Sequence, residues 1–396
     1  MKLLKIAVSG LPLFKGKCEI DFLAMQRVSG DNADKMYCLF STNNQKFYQN
    51  NVMSFVGINA SGKTSILKLI TFICGMLNNE AINNFACNEV FDGVEESQRV
   101  IIDVYFSAEN NTINLIHTEI CKRNGRLIIA DEYLKSKSNA KMKSKSDVFN
   151  FEHCENVMER NQDEAFLLED VSIMVAFHKK HNDRLVGFDM LRYTNINQLS
   201  ISDDCPAELI AFFDPSIEYL RIRRMTTHGQ TVAIKGLEVQ LKFYGKEEIL
   251  LNRMSDLNRY LSSGTIKGIN TFARAMRTFE HGGYLIVDEI ENHFNREIVS
   301  TLMRFYMDSK VNPKGAMLIF STHYAELLDE FERNDNIYIV RNRSGITAEK
   351  LSVILKRNDI KKSEAYQSGY LDGTVPAYDA YMALKKSLIH PPKEAK

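Results

Sequence analysis

An α/β fold with a mixed central sheet is predicted by three observations. A glycine-rich turn, "SFVGINASGKTSILKLI", joins an apolar run to a helix-periodic run; two later apolar runs end in "DE" and "STH"; and strand-like segments alternate with helical ones along the chain. Near the N-terminus, Leu3 to Val8 and Cys18 to Phe22 have strand character, and the polar stretch Ser29 to Asn51 reads as a loop or irregular hairpin. Val52 to Val56 is a buried-strand candidate that feeds the glycine turn. After it, Ile66, Leu67, Leu69, Ile70, Ile73, Cys74 and Leu77 recur at helical spacing, which argues for a core helix.

From Arg99 to Leu134, "VIIDVYF", "TINLIHTEI" and "RLIIADEYL" are strand-like, separated by Asn110-Asn111 and Asn124-Gly125, dipeptides suited to hairpin turns. They predict an antiparallel β subdomain. "KSKSNAKMKSKS" follows, with Lys135, Lys137, Lys141, Lys143 and Lys145 among serines. It reads as a mobile solvated loop, with a nucleic-acid contact as the alternative. Asp147 to Leu209 reads as a largely helical, irregular insertion or lid without sustained heptads. Strand pattern resumes with "EYLRIRR" and "GLEVQLKFYG", where Leu237, Val239, Leu241 and Phe243 alternate with Glu238, Gln240 and Lys242, so Glu238 and Lys242 belong to a solvated face. The expected organisation is residues 1–134 and 210–355 as the two parts of one core, 135–209 as an insertion and 356–396 as a tail that ends in the polar "LIHPPKEAK".

Composition narrows the classes. Lys+Arg 50 against Asp+Glu 50 leaves no basic excess, so any nucleic-acid contact must be local. The 7 cysteines are scattered without C-x-x-C spacing, which reads as reduced thiols and makes a structural zinc unexpected. Met1 to Phe14 has no export-signal pattern and no segment reaches about 18 uninterrupted apolar residues, so a cytoplasmic location without a membrane span is expected. His178 and His181 have helical spacing but no evident third ligand, and "YQSGYLDGTVPAYDAY" is a turn-rich aromatic stretch that either packs on the core or docks a partner.

Four motifs carry chemistry. Gly57-x-x-x-x-Gly62-Lys63-Thr64 fits the phosphate-loop pattern: the glycines let backbone N–H groups close on phosphates, Lys63 reaches their outer oxygens, Thr64 offers a hydroxyl to Mg²⁺, and the helix directs its positive end at the anion. Ser61 and Ser65 are further candidate nucleotide contacts of the loop. The run Tyr284 to Val287 ends in Asp288 and Glu289, a metal-holding and a water-orienting acid at the carboxyl end of a strand. Ala316 to Phe320 ends in Ser321-Thr322-His323, which places a histidine just past another strand. In "RYLSSGTIKGINTFARAM", Ser262 and Ser263 are natural N-caps of a helix with an Ile266, Ile269, Phe272, Ala273, Met276 and Phe279 stripe, and with Gly264 they also suit an anion.

Taken in this order, "GINASGKT", "LSSGT", "DEIENHF" and "FSTH" resemble the ABC-type ATPase fold, and within it the SMC, RecF and OLD-like group. The overall likeness is to bacterial OLD-type ATPases of abortive-infection and restriction-linked systems, of the RloA and AbiL kind. It covers about 1 to 130 and 205 to 350. The resemblance implies a homodimer or higher oligomer that sandwiches ATP, with Asn59, Lys63 and Thr64 of one copy facing Ser262 and Gly264 of the other. It also implies Mg²⁺ on Thr64 and Asp288, and hydrolysis by Glu289 with His323. Three positions depart from the pattern: Ser263 stands where glycine is usual, Thr265 where glutamine is usual and Asn295 where a dimer-loop aspartate is usual; Gln98 is the candidate for the glutamine loop. Residues 324–396 are too few for the Toprim nuclease that follows many such ATPases and contain no D-x-D, so a separately encoded effector, a nuclease or toxin, is the expected partner. The alternative is a RecF/SMC-like repair ATPase clamping DNA with Lys135 to Lys145 and Arg221, Arg223 and Arg224, and a scaffold that binds ATP without turnover is the third reading.

Overall fold

The N-terminal apolar runs form β1 (Lys2–Ser9) and β2 (Cys18–Asp21), paired antiparallel. This is the computed structural model of the chain, and it describes residues 1–396 apart from 29, 43–44, 161–166, 202–204, 226–235, 293, 357–359, 376–377 and 390–396. The described chain divides into two compact units, Met1–Leu185 with Ile319–Lys396, and Val186–Leu318. Residues 135–209 fall on both sides of that division.

In the first unit, α1 is the single turn Gly30–Ala33, and the polar stretch after it is the irregular hairpin β3 (Tyr37–Ser41) and β4 (Lys46–Gln49), with Phe40 stacked on Phe47. β5 (Val52–Val56) is buried along its whole length and leads through residues 57–62 into α2 (Lys63–Leu77). That helix buries Ile66, Leu67, Leu69, Ile70, Ile73 and Leu77, the positions its periodicity marked. β6 (Val100–Ala108), β7 (Thr112–Arg123) and β8 (Arg126–Ser138) form an antiparallel meander, and the full sheet runs β2-β1-β6-β7-β8-β9, where β9 is Asn156–Glu159. Both turns use left-handed residues, Asn111 (φ 60) in the first, Asn124 (φ 51) and Gly125 (φ 76) in the second.

Two expectations for this region need correcting. The lysine-rich stretch is not a loop: β8 continues to Ser138, a short 3₁₀ turn follows, and Ser144 caps α3 (Lys145–Phe149) through a reciprocal capping box with Asp147. Ring contacts help to hold it, because the Lys137 ammonium lies over the Phe151 ring at 3.9 Å and that of Lys135 over Tyr133 at 5.6 Å. Nor is the following segment largely helical, since its described part holds α3, β9, α4 (Met174–His181) and β10 (Gly187–Asp189) amid irregular chain. Its many Asn, Asp and Ser side chains compete for backbone groups and shorten helices.

In the second unit, β10 pairs parallel with β14 (Tyr284–Val287). α5 (Ala207–Phe213) precedes a three-stranded antiparallel sheet of β11 (Ile217–Met225), β12 (Gly236–Phe243) and β13 (Ile249–Leu251). Val239 and Leu241 are buried from one face of β12, in a core with Leu220, Ile266 and Ile269, while Lys242 pairs with Glu218 on the other face. α6 (Ser263–His281) buries Ile266, Ile269, Phe272 and Ala275, but Met276, assigned to its stripe, is 41% exposed. α7 (Arg296–Met307) follows, capped by Asn295, whose side chain accepts from Ile298 N at 3.0 Å.

The chain re-enters the first unit within β15 (Met317–Thr322). β16 (Ile337–Asn342) pairs parallel with β5 and antiparallel with β17 (Ile346–Lys350), a mixed arrangement as expected. α8 (Leu351–Ile354), α9 (Lys362–Gln367) and α10 (Tyr378–Ile389) end the described chain. In the aromatic stretch Tyr366 and Leu371 are buried, whereas Tyr370 and Tyr378 are exposed. Most of "LIHPPKEAK" lies outside the described residues.

Candidate functional site

The Gly57–Thr64 turn is built by backbone geometry that its sequence permits. Gly62 has φ 99 and a Cβ there would meet the Ile346 side chain at 2.5 Å; a Cβ on Gly57 would meet Val340 O and Ser61 Oγ, each at 2.5 Å. Ala60 is also left-handed, at φ 59. Left-handed residues set among right-handed ones turn successive N–H groups into one concavity. Gly62 caps α2 without a side-chain hydrogen bond of its own, and no acidic residue occupies the helix's first turn.

Lys63 is buried at 6% exposure beneath this turn. Its ammonium donates to Gly57 O at 2.9 Å and Ile58 O at 3.1 Å, and stands 3.4 Å from His323 Nδ1, which accepts from it when the ring proton is on Nε2. Two motifs distant in sequence therefore meet. Ser61 is 2% exposed and its Oγ is buried without a hydrogen-bond partner. A buried ammonium, an orphaned hydroxyl and a helix N-terminus without a side-chain cap suit an oxyanion. Thr64 and Ser65 are half-buried in the first turn of α2, and Asn59 is exposed at the rim.

The remaining candidates lie in the second unit. Asp288 and Glu289 follow β14, Asp288 buried and Glu289 half-buried with φ 47. A left-handed glutamate is strained by about 1–3 kcal/mol, a cost that tends to collect at functional positions. Asn292 Nδ2 donates to Glu289 Oε2 at 2.7 Å. Ser262 acts as the N-cap of α6, its Oγ accepting from Thr265 N at 3.0 Å and lying 2.8 Å from Thr265 Oγ1. Ser263 and Gly264 occupy the helix's first turn, half-buried. One turn on is a residue the motifs missed: Lys267, 7% exposed, donates to Thr194 O and lines one small recess with Asp288, Glu289 and Asn292. Burial lowers its pKa, and the negative charge of Glu289 opposes that shift. Its position between the apolar Ile266 and Ile269 was the available signal.

Other candidates have structural roles. The Gln98 amide donates to Gly10 O, which ties a turn to β1. His178 is buried, with Nδ1 2.6 Å from Asp183 O and Nε2 2.6 Å from Leu77 O at the end of α2. Among the described residues no group of three His, Cys, Asp or Glu could hold a metal ion unaided. Also among them, no helix is long and apolar enough to cross a membrane. Comparison with models of known protein families finds no match, and comparison with curated proteins finds no relative.

Proposed function

We propose that this chain is an ATP-binding and ATP-hydrolysing ABC-type ATPase that dimerises around ATP and regulates a separately encoded effector, a nuclease or toxin, in prokaryotic antiviral defence. The observation that carries the ATPase reading is the Lys63 ammonium, held by Gly57 and Ile58 carbonyls within 3.4 Å of His323 at the N-terminus of α2. The motif resemblance supplies the rest. Gly57, Asn59, Ser61, Gly62, Lys63, Thr64 and Ser65 would bind the nucleotide, and the Lys63 ammonium would exchange its carbonyl contacts for phosphate oxygens. Ser262, Ser263 and Gly264 would face the nucleotide held by the other copy.

Thr64 and Asp288 would hold Mg²⁺. A set of only two protein oxygens fits that ion, which keeps waters and takes its remaining ligands from substrate phosphates; its chemistry is to neutralise charge on them. Glu289 would orient and deprotonate the attacking water, its carboxylate steadied by Asn292. His323, beside Lys63, would contact the water or the terminal phosphate. The terminal phosphate would then be part of the dimer contact, so binding favours the closed pair and cleavage removes that preference.

The test compares ATP turnover of the wild type and Glu289→Gln. Loss of a positioned base lowers the rate by about 10²- to 10⁴-fold, with nucleotide binding retained and a dimer accumulating in ATP. Equal rates would remove the enzymatic reading in favour of a scaffold. The DNA-clamp alternative loses support from its lysines: the Lys137 amine donates to Asp147 O and Asn150 O, and Lys145 to Met25 O at 3.1 Å and Gln26 O at 2.8 Å.

A further inference from the structure

Lys267 stands on α6 one turn past Gly264, inside the unit Val186–Leu318. Its side chain is 7% exposed, and an ammonium carries three donors. Among the described residues Thr194 O is its one hydrogen-bond acceptor. A cation taken this far from water needs more than one neutral partner. The recess it borders supplies charge, because Asp288, Glu289 and Asn292 line it as well. Burial disfavours the charged form of Lys267, and the Glu289 charge is the one that opposes this.

Glu289 is already held from its own turn. Asn292 N donates to Glu289 O at 2.9 Å and Asn292 Nδ2 to Glu289 Oε2 at 2.7 Å, which closes the chain around the left-handed residue. That turn leaves the Glu289 carboxylate next in sequence to Asp288, a like charge that repels it. A cation on the neighbouring helix offsets the repulsion and limits where the acid can swing. We propose that Lys267 is a positioning residue for Glu289, its charge fixing that carboxylate across the recess from α6. The role rests on the ATPase reading of the site. Lys267 acts through the acid and touches no reacting atom.

The first arm of the test needs no ligand. Urea unfolding of the full chain without nucleotide or Mg²⁺, as wild type, Lys267→Met, Glu289→Gln and the double variant, forms a double-mutant cycle. Lys267→Met should shift the unfolding equilibrium constant by about fivefold more in the wild type than in the Glu289→Gln background. A lysine that only bonds Thr194 O would give equal shifts, so an additive cycle overturns the proposal. In the second arm, Lys267→Met should lower kcat for ATP by about 10- to 100-fold, with KM and the affinity for a fluorescent ATP analogue unaltered. Lys267→Gln keeps a donor for Thr194 O without the charge and should lose as much rate. Wild-type turnover in either variant overturns the role, and so does a loss of affinity that matches the loss of rate, which would make Lys267 a nucleotide contact. A wild type no faster than Glu289→Gln removes the ATPase reading and this role with it, whereas a faster wild type with an additive cycle removes this role alone.

Discussion

Gly62 shows how one residue can hold a candidate site together. Its φ of 99 is a conformation that costs a residue with a Cβ about 1–2 kcal/mol, and the added methyl would press on Ile346. Gly62→Ala should therefore lower stability by about 1–3 kcal/mol, read as a shift in urea midpoint. It should also weaken binding of a fluorescent ATP analogue by at least about tenfold, because the N–H groups beneath the turn lose their common aim. Unchanged affinity in a folded variant would mean that the left-handed turn is not needed for the ligand. The positive φ at Ala60 and Glu289 marks strain at two further candidate positions. Neither could be read from sequence, because alanine and glutamate do not announce a left-handed backbone. Lys267 was marked only by its place on the α6 stripe, since the Thr194 carbonyl that accepts from it is far away along the chain.

At the scale of elements, the β6–β7–β8 meander was legible because Asn-Asn and Asn-Gly accept left-handed turns and the runs between them alternate; β5 and α2 were legible because an apolar strand, a glycine turn and a 3.6-residue period coincide. The lysine-rich end of β8 was not, because the Lys137 ammonium finds the Phe151 ring and the Asp147 and Asn150 carbonyls, contacts no local pattern encodes. The meander also carries a histidine–aspartate pair across β6 and β7. His117 Nδ1 lies 2.6 Å from Asp103 Oδ1, and the ring stacks on Tyr133 with centroids 4.7 Å apart. The hydrogen bond to Asp103 is the main cause of a His117 pKa above the ordinary 6.5, against a smaller opposing effect of burial. A raised folded value stabilises the fold fully below 6.5, and that stabilisation disappears as pH climbs through the raised value. The wild type should thus exceed His117→Gln in unfolding free energy at pH 5.5 to 6 by about 1 kcal/mol or less, the pair being partly solvated. At pH 9 the gap should narrow, and a gap that widened toward pH 9 would refute the assignment.

For the molecule as a whole, the distribution of charge decides how it should meet nucleic acid. Lys+Arg 50 balance Asp+Glu 50, so no long-range field draws in a polyanion. Three of the local basic residues that could have replaced it, Lys137, Lys145 and Arg221, are already engaged. Burial lowers the pKa of Lys137 and of Lys145, and both amines donate to backbone carbonyls. Arg221 lies over the Tyr219 ring at 4.3 Å, and Glu218, Glu238 and Glu248 belong to or adjoin the same β11–β12–β13 sheet. A clamp that neutralised about six to ten phosphates would lose about 10³- to 10⁵-fold in affinity between 50 and 200 mM salt. Here only non-specific binding is expected, with a dissociation constant weaker than about 1 μM at physiological salt. Fluorescence anisotropy of labelled duplex DNA, with the Glu289→Gln protein held in ATP, measures this directly. Binding tighter than about 1 μM at physiological salt that weakens steeply as salt is added and falls on replacing Arg221 and Arg223 would make DNA the substrate of the ATP cycle. Weak binding, together with a stoichiometric protein co-eluting with the ATP-held chain from its native host, would make that protein the target.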